Sequence, residues 1–150
     1  MCKKTCFFLG HADTPSDVYP SLLAAIEQHI TEYGVTEFFV GHHGFFDSLA
    51  LRALREAKVH HPDIRIIHVQ PYHPGINPSI PEGFDESFYP FDTPVHPRFV
   101  ISKANRKMID TCDFIIAYVW HCGNSGAFFE YAKKRAASSQ LHMENLKASI

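Results

Sequence analysis

The sequence predicts a three-layer α/β fold, a single domain over residues 1–150 with a mostly parallel sheet of about five strands. Short apolar runs alternate with stretches that repeat apolar residues at helical spacing, and several of the runs close on glycine. A chain of 150 residues that is 45% hydrophobic can also bury one sizeable core. Strands that alternate with helices are typical of right-handed βαβ units in one parallel sheet.

The first two units follow this pattern closely. An apolar run over residues 6–9, closed by Gly10, predicts a buried strand. A helix follows with apolar positions over residues 18–30, and Gly34 is expected to end it. The unit then repeats, with a strand at residues 38–40 and a helix whose apolar stripe ends before Pro62.

The second half continues the alternation after a long interruption. Residues 64–69 predict a third strand, and residues 101–112 carry the apolar spacing of a third helix. Residues 114–120 form the longest apolar run and predict a central strand. A fourth helix is predicted around residues 128–136, and residues 141–146 predict a last edge strand.

The interruption, residues 70–97, is predicted to be a loop. It holds seven of the ten prolines and several aromatic residues. A loop of this length inside one domain is usually functional or part of an interface, and its aromatic content argues against a flexible linker. Together with the apolar helix faces it predicts a homodimer or a higher homo-oligomer, which light scattering would detect.

Composition excludes several partners. A net charge of −2 offers no electrostatic footprint for nucleic acid. The sequence has no apolar run of membrane-spanning length and no signal-peptide pattern at its start, so we expect a cytoplasmic protein with no membrane contact.

Cysteines and histidines do not form a recognisable metal motif. The four cysteines lack CxxC spacing, so we expect free thiols. Histidines at positions 42, 43, 73, 96 and 121, with Cys122, fall in predicted loops, but without HExxH spacing. We therefore expect no metal and no cofactor. A nucleophilic triad is also not indicated, because no GxSxG turn is present.

Three turns are the candidate ligand site. Parallel α/β sheets bind ligands outside the carboxyl ends of their strands, and the turns that follow the first, second and most apolar strands would share that edge. Glycines allow close backbone approach, and helix starts present N–H groups to anions. The candidate binding residues are Gly10, His11, Gly41, His42, Gly44, Asp47, Gly123, Asn124, Ser125 and Gly126. Ordinary turns with Asp47 and Ser125 as helix caps are the alternative.

Two charged residues are the candidates for catalysis. Arg106, on the third helix, would clamp a phosphate if it faced the ligand edge, and otherwise is a solvated arginine. Glu130 lies one turn into the fourth helix. It is either a carboxylate favoured by the positive helix end or a general base that faces a developing oxocarbenium ion.

Several motifs in order carry a family resemblance. The chain reads FLGH at residues 8–11, VGHHGFFD at 40–47, NR at 105–106 and DFIIAYV at 113–119. This pattern resembles the SLOG superfamily, a Rossmann-like group that includes the LOG phosphoribohydrolases and the DNA-processing protein A domain. Within it, the match is to a small, functionally uncharacterised bacterial branch. The resemblance covers residues from about Cys6 to Ala136 and implies a Rossmann-like fold with a nucleotide-derived ligand.

The resemblance also bears on catalysis. LOG enzymes carry a GGxGTxxE signature, and residues 123–130 read GNSGAFFE in register with it. By resemblance, Glu130 and Arg106 would support cleavage of the N-glycosidic bond of a nucleoside 5′-monophosphate. Asn124 and Ala127 depart from the signature, and Ala12 stands where the branch has arginine. The spacing from Arg106 to Asp113 is also shorter than in the LOG pattern.

These departures favour a protein that binds a nucleotide or nucleotide sugar, as a sensor does. A phosphoribohydrolase is the first alternative. A non-catalytic oligomeric interaction protein is the second.

Overall fold

The sheet is the centre of the molecule. A computed structural model describes residues 3–41, 44–72, 80–120 and 124–149, with only the backbone at 124, 125, 148 and 149. Within these residues, six strands form one sheet in which every pairing is parallel. The strands are β1 (Lys4–Gly10), β2 (Val35–Val40), β3 (Arg65–Val69), β4 (Glu86–Phe88), β5 (Phe114–Tyr118) and β6 (His142–Asn145), in the order β4-β3-β2-β1-β5-β6.

Helices cover both faces of this sheet. They are α1 (Tyr19–Thr31), α2 (Phe45–His60), α3 (Val100–Thr111), α4 (Asn124–Ser138) and the short α5 (Leu146–Ser149), with 3₁₀ turns at Ser16–Val18 and Pro97–Phe99. Buried residues of α1, α2 and α5 join one core cluster, and those of α3 and α4 join the other. The predicted three-layer α/β class with a parallel sheet is therefore confirmed, with six strands instead of about five.

The sixth strand lies in the segment predicted to be a loop. β4 pairs with β3 at the sheet edge, where the Asp85 N–H donates to the Ile66 carbonyl and the Ile66 N–H donates to the Asp85 carboxylate, both at 2.8 Å. Three residues reading Glu-Ser-Phe contain no apolar run, so only this pairing reveals the strand. Phe84 and Phe91 pack against the two core clusters, whereas Phe88 is exposed. The homo-oligomer stays a prediction.

Alternate residues of β1 face the two cores. Cys6 and Phe8 belong to the cluster under α1 and α2, while Phe7 and Leu9 belong to the cluster under α3 and α4. A strand buried on both faces reads as a continuous apolar run, which is why the sequence predicted it.

The two cysteines in the described residues are free and buried, as expected for structural thiols. Burial, with the nearby Asp113 carboxylate, raises the pKa of Cys112 to about 12, and burial raises the pKa of Cys6 as well. Both thiols therefore stay protonated near neutral pH, which makes them poor nucleophiles.

A buried histidine in α1 predicts acid sensitivity. His29 is fully buried and donates through Nδ1 to the Ala25 carbonyl at 2.7 Å, while its Nε2 has no partner among the described residues. Burial lowers its pKa below the usual 6.5, against smaller opposing effects of that hydrogen bond and of Glu144 on β6. As pH falls below 6.5 the unfolded chain binds the proton first, so the free energy of unfolding should decline.

Replacement of His29 by leucine should remove this part of the acid destabilisation. Urea unfolding at about pH 7 and pH 5 measures it, since an unperturbed histidine titrates near 6.5. His60→Leu, at an exposed position on α2, is the matched control for replacing a histidine by leucine without removing a buried ring. An unchanged pH dependence in His29→Leu would contradict the assignment.

Candidate functional site

The sheet has its topological switch point between β1 and β5. From β1 the chain builds β2, β3 and β4 on one side, and then crosses to β5 on the other. Ligands of doubly wound sheets bind in the crevice at such a point, outside the carboxyl ends of the strands. A cleft of about 560 Å³ lies there, within the size range of small-molecule sites.

The turns after β1 and β2 meet in this cleft, as the sequence predicted. Gly10, His11, Gly41, Gly44 and Asp47 all line it. His42 lies outside the described residues. The lining also includes Asp13, which the sequence reasoning had not singled out although it lies in the same turn as His11. Their shared position is thus established, while their part in binding remains a prediction.

The third predicted turn is described only in part. Gly123 lies outside the described residues, and α4 begins at Asn124, so the backbone of Asn124, Ser125 and Gly126 forms its first turn. Phe128, the next turn along α4, lines the cleft. The N-terminal part of this helix therefore approaches the same edge of the sheet as the other two turns.

One face of α3 and the turn before it forms the opposite wall. Arg98, Ile101, Ser102 and Asn105 line the cleft. The spacing of Ile101, Ser102 and Asn105 places these three on one face of α3, and Arg98 lies in the 3₁₀ turn before it. The Arg98 N–H donates to Nδ1 of His96 at 3.1 Å, which caps the 3₁₀ turn. Sequence reasoning missed Arg98 and Ser102. The signal was their helical spacing from Asn105, which was part of the resemblance motif.

The two predicted catalytic residues are not among those that line the cleft. Arg106 follows Asn105 by one residue, about 100° further round the helix, and its guanidinium lies 5.2 Å from the ring centre of Tyr131 on α4. The Glu130 side chain is 66% exposed, with a carboxylate oxygen 3.7 Å from Nζ of Lys133. Neither residue joins Gly10, Gly41 and Asp47 in the lining of the cleft, although Glu130 follows Gly126 by one turn of α4.

Two glycines of the site are required by packing. A Cβ on Gly10 would lie 2.3 Å from Cγ of Phe46, and a Cβ on Gly44 would lie 2.7 Å from Cα of Ala12. The Phe45 N–H also donates to the Ala12 carbonyl at 3.1 Å. The turn after β1 thus lies directly against the start of α2. The helix N-cap is Gly44, so the alternative that Asp47 caps α2 is wrong.

His11 connects the turn after β1 to the end of β5. Its side chain is buried, its Nε2 accepts the Trp120 backbone N–H at 3.1 Å, and its ring meets the indole edge-on with centroids 4.6 Å apart. The Thr14 hydroxyl donates to the His11 carbonyl at 2.7 Å and holds the turn. Because Nε2 accepts, the proton of the neutral ring lies on Nδ1.

Charge is unevenly distributed over the described lining. Arg98 supplies a cation on the α3 wall, and Asp13 and Asp47 supply carboxylates on the opposite side. An anionic group would be favoured near Arg98, and hydroxyl groups would be favoured near the carboxylates.

The described part of the chain contains neither a candidate metal site nor a membrane-spanning helix. No group of three metal-ligating side chains occurs there. The candidate ligands at 42, 43, 73, 121 and 122 lie outside it. No helix in the described ranges is both long and apolar enough to cross a bilayer.

Fold and cleft together define the class of this protein, a doubly wound, Rossmann-like α/β domain with a small-molecule-sized cleft at its switch point. No protein-family model matches the chain, and neither does any curated protein. The residues of the cleft are therefore the basis for a functional proposal.

Proposed function

We propose that the protein binds a phosphorylated, nucleotide-type small molecule in the switch-point cleft and acts by binding rather than by cleavage. The observation that carries this proposal is the α3 wall, on which Arg98, Ser102 and Asn105 face one cleft. A guanidinium with neighbouring hydroxyl and amide groups is a set of donors suited to phosphate oxygens.

The opposite wall suits the sugar of such a ligand. Asp47 and Asp13 offer carboxylate oxygens, which accept hydrogen bonds from ribose hydroxyls. The cleft thus has one anion-binding side and one hydroxyl-binding side.

Binding is favoured over hydrolysis because of where Glu130 lies. A general base must come within hydrogen-bond reach of the proton it removes. The resemblance assigns that role to Glu130, whose exposed carboxylate faces Lys133 on the surface of α4 and does not line the cleft. The family resemblance supports a nucleotide-type ligand, and the position of Arg98, Ser102 and Asn105 supports a phosphate on the α3 wall.

Titration with nucleoside 5′-monophosphates tests the proposal. The chain has a single tryptophan, Trp120, and it contacts His11 of the cleft, so intrinsic fluorescence reports on this region. Arg98→Ala should weaken binding about 10- to 100-fold, the usual effect of losing a charged hydrogen-bond donor.

Arg106→Ala is the matched control and should bind as the wild type does. Chromatography of the same mixtures should show no release of free base. If no mononucleotide changes the fluorescence or the melting temperature, the proposal is wrong. If free base appears, binding without cleavage is wrong.

A further inference from the structure

A second cavity continues the cleft along α2. It has a volume of about 510 Å³ and shares Gly41 and Asp47 with the switch-point cleft. Ser48, Leu51 and Arg55 form its α2 side, and Phe84 forms its other side. We call this cavity the α2 groove. Because Asp47 lines both cavities, one ligand can occupy the two together.

The walls of the α2 groove differ from those of the cleft. Leu51 and Phe84 are apolar, and both pack against the core cluster beneath them. Arg55 is exposed and makes no ion pair among the described residues. Apolar surface with an available guanidinium suits a flat aromatic ring, since bases stack on aromatic side chains and on arginine.

The other two charged residues of the groove, Arg52 and Glu56, both contact Tyr19 of α1. The Arg52 guanidinium lies 4.8 Å from the ring centre of Tyr19, and the Tyr19 hydroxyl donates to the Glu56 carboxylate at 3.0 Å. Both side chains line the groove but are already engaged on the α1 side. The groove is therefore not an anion site of the kind that Arg98 forms with Ser102 and Asn105.

Distance along the helix agrees with one extended ligand. Asp47 and Arg55 are eight residues apart, which is about 12 Å at 1.5 Å per residue. A phosphate at Arg98 lies on the α3 side of the cleft, and Asp47 lies between it and the groove. A nucleotide has the same order of parts, with phosphate, sugar and base in sequence.

We infer that the α2 groove is the base-binding half of the site, so that the ligand lies with its phosphate at Arg98, its sugar at Asp47 and its base against Phe84. This inference rests on the proposed function and assigns the orientation of the ligand. It also makes Leu51, Arg55 and Phe84 the residues that select the base.

Three probes separate the parts of the site. They are the mononucleotide that binds best among AMP, GMP, CMP and UMP, its nucleoside, and ribose 5-phosphate, each measured by calorimetry or competition. Ser48→Phe fills the groove from an exposed helix position, and His60→Phe, at the exposed end of α2, is its control. Melting temperature and circular dichroism verify that both fold.

Opposite patterns are expected for the two halves. Ser48→Phe should weaken the nucleotide and the nucleoside at least about fivefold, the lower end of a lost base stack, and leave ribose 5-phosphate unchanged. Arg55→Gln should act in the same direction. Arg98→Ala should weaken the nucleotide and ribose 5-phosphate and leave the nucleoside unchanged.

Other outcomes overturn the inference in distinguishable ways. If Ser48→Phe and Arg55→Gln weaken ribose 5-phosphate instead, the ligand lies in the reverse orientation. If they change nothing while Arg98→Ala still acts, the base lies elsewhere and the proposed function stands. If the wild type binds none of the probes, the proposed function and the inference fall together.

Discussion

Gly10→Ala is expected to lower the free energy of unfolding by about 3 kcal/mol, the upper part of the range for overpacked cores. The added Cβ would lie 2.3 Å from Cγ and 2.8 Å from Cβ of Phe46. Phe46 is buried in the core cluster under α2, so a shift of its ring away from the added Cβ would disturb that packing. Chemical denaturation with urea measures the change.

Gly34→Ala separates this clash from the general cost of replacing a glycine. Gly34 has a φ of +74° and nothing within 4 Å of an added Cβ, so its replacement should cost only about 1 kcal/mol of backbone strain. A double-mutant cycle with Phe46→Ala should show that Gly10→Ala costs less once the ring is gone, with the 2.8 Å contact to the retained Cβ as the remaining cost. If Gly10→Ala is no more destabilising than Gly34→Ala, the packing role is wrong.

His11→Phe is expected to cost about 1 kcal/mol of unfolding free energy, the usual net contribution of one hydrogen bond. Phenylalanine keeps a ring against the indole of Trp120 but has no atom to accept the Trp120 N–H, which Nε2 now accepts at 3.1 Å. Trp120 is the single tryptophan of the chain, so its emission should also differ between His11→Phe and the wild type.

His11→Gln is the matched variant for this contact. A glutamine amide oxygen can take the place of Nε2 as acceptor but offers no ring, so this variant should retain more stability than His11→Phe. Urea unfolding followed by tryptophan emission compares the two. A His11→Phe protein as stable as the wild type would show that the hydrogen bond contributes nothing to the fold.

Gly10 and His11 connect the turn after β1 to two different elements of the fold. Gly10 lets the turn after β1 pack on Phe46 of α2, and His11 joins the same turn to the residue after β5. The cleft wall is therefore held from both flanking elements before any ligand arrives. A wall held in this way reduces the ordering cost of binding, which improves affinity.

Part of the fold could be predicted because its signals are local. β1, β2, β3 and β5 contain buried apolar runs. Gly34, with a positive φ, lies two residues beyond the C-cap Glu32, so the predicted end of the first helix was close but a few residues late. The alternation of these elements with helices implies a parallel sheet, and a parallel sheet implies a shared carboxyl edge. That reasoning placed the turns at Gly10 and Gly41 in one cleft.

Other features could not be predicted because their causes are distant in sequence. β4 depends on pairing with β3 and on the reciprocal bonds of Asp85 and Ile66, with no apolar pattern of its own. Which arginine lines the cleft depends on the 3₁₀ turn that carries Arg98 and on how α3, which carries Arg106, is rotated against the sheet. That rotation is set by its buried face, which includes Ala104 and Met108.

The sequence by itself determined the class of fold, the end of the sheet that carries the cleft and the turns that meet there, because burial pattern and glycine placement act over a few neighbouring residues. The tertiary structure decided which side chains line that cleft. A helix packs as a rigid body, so the rotation of α3 turns Asn105 inward and leaves Arg106 against Tyr131, while the 3₁₀ turn before α3 brings Arg98 to the cleft. Two arginines with similar local sequence signals thereby occupy different surroundings.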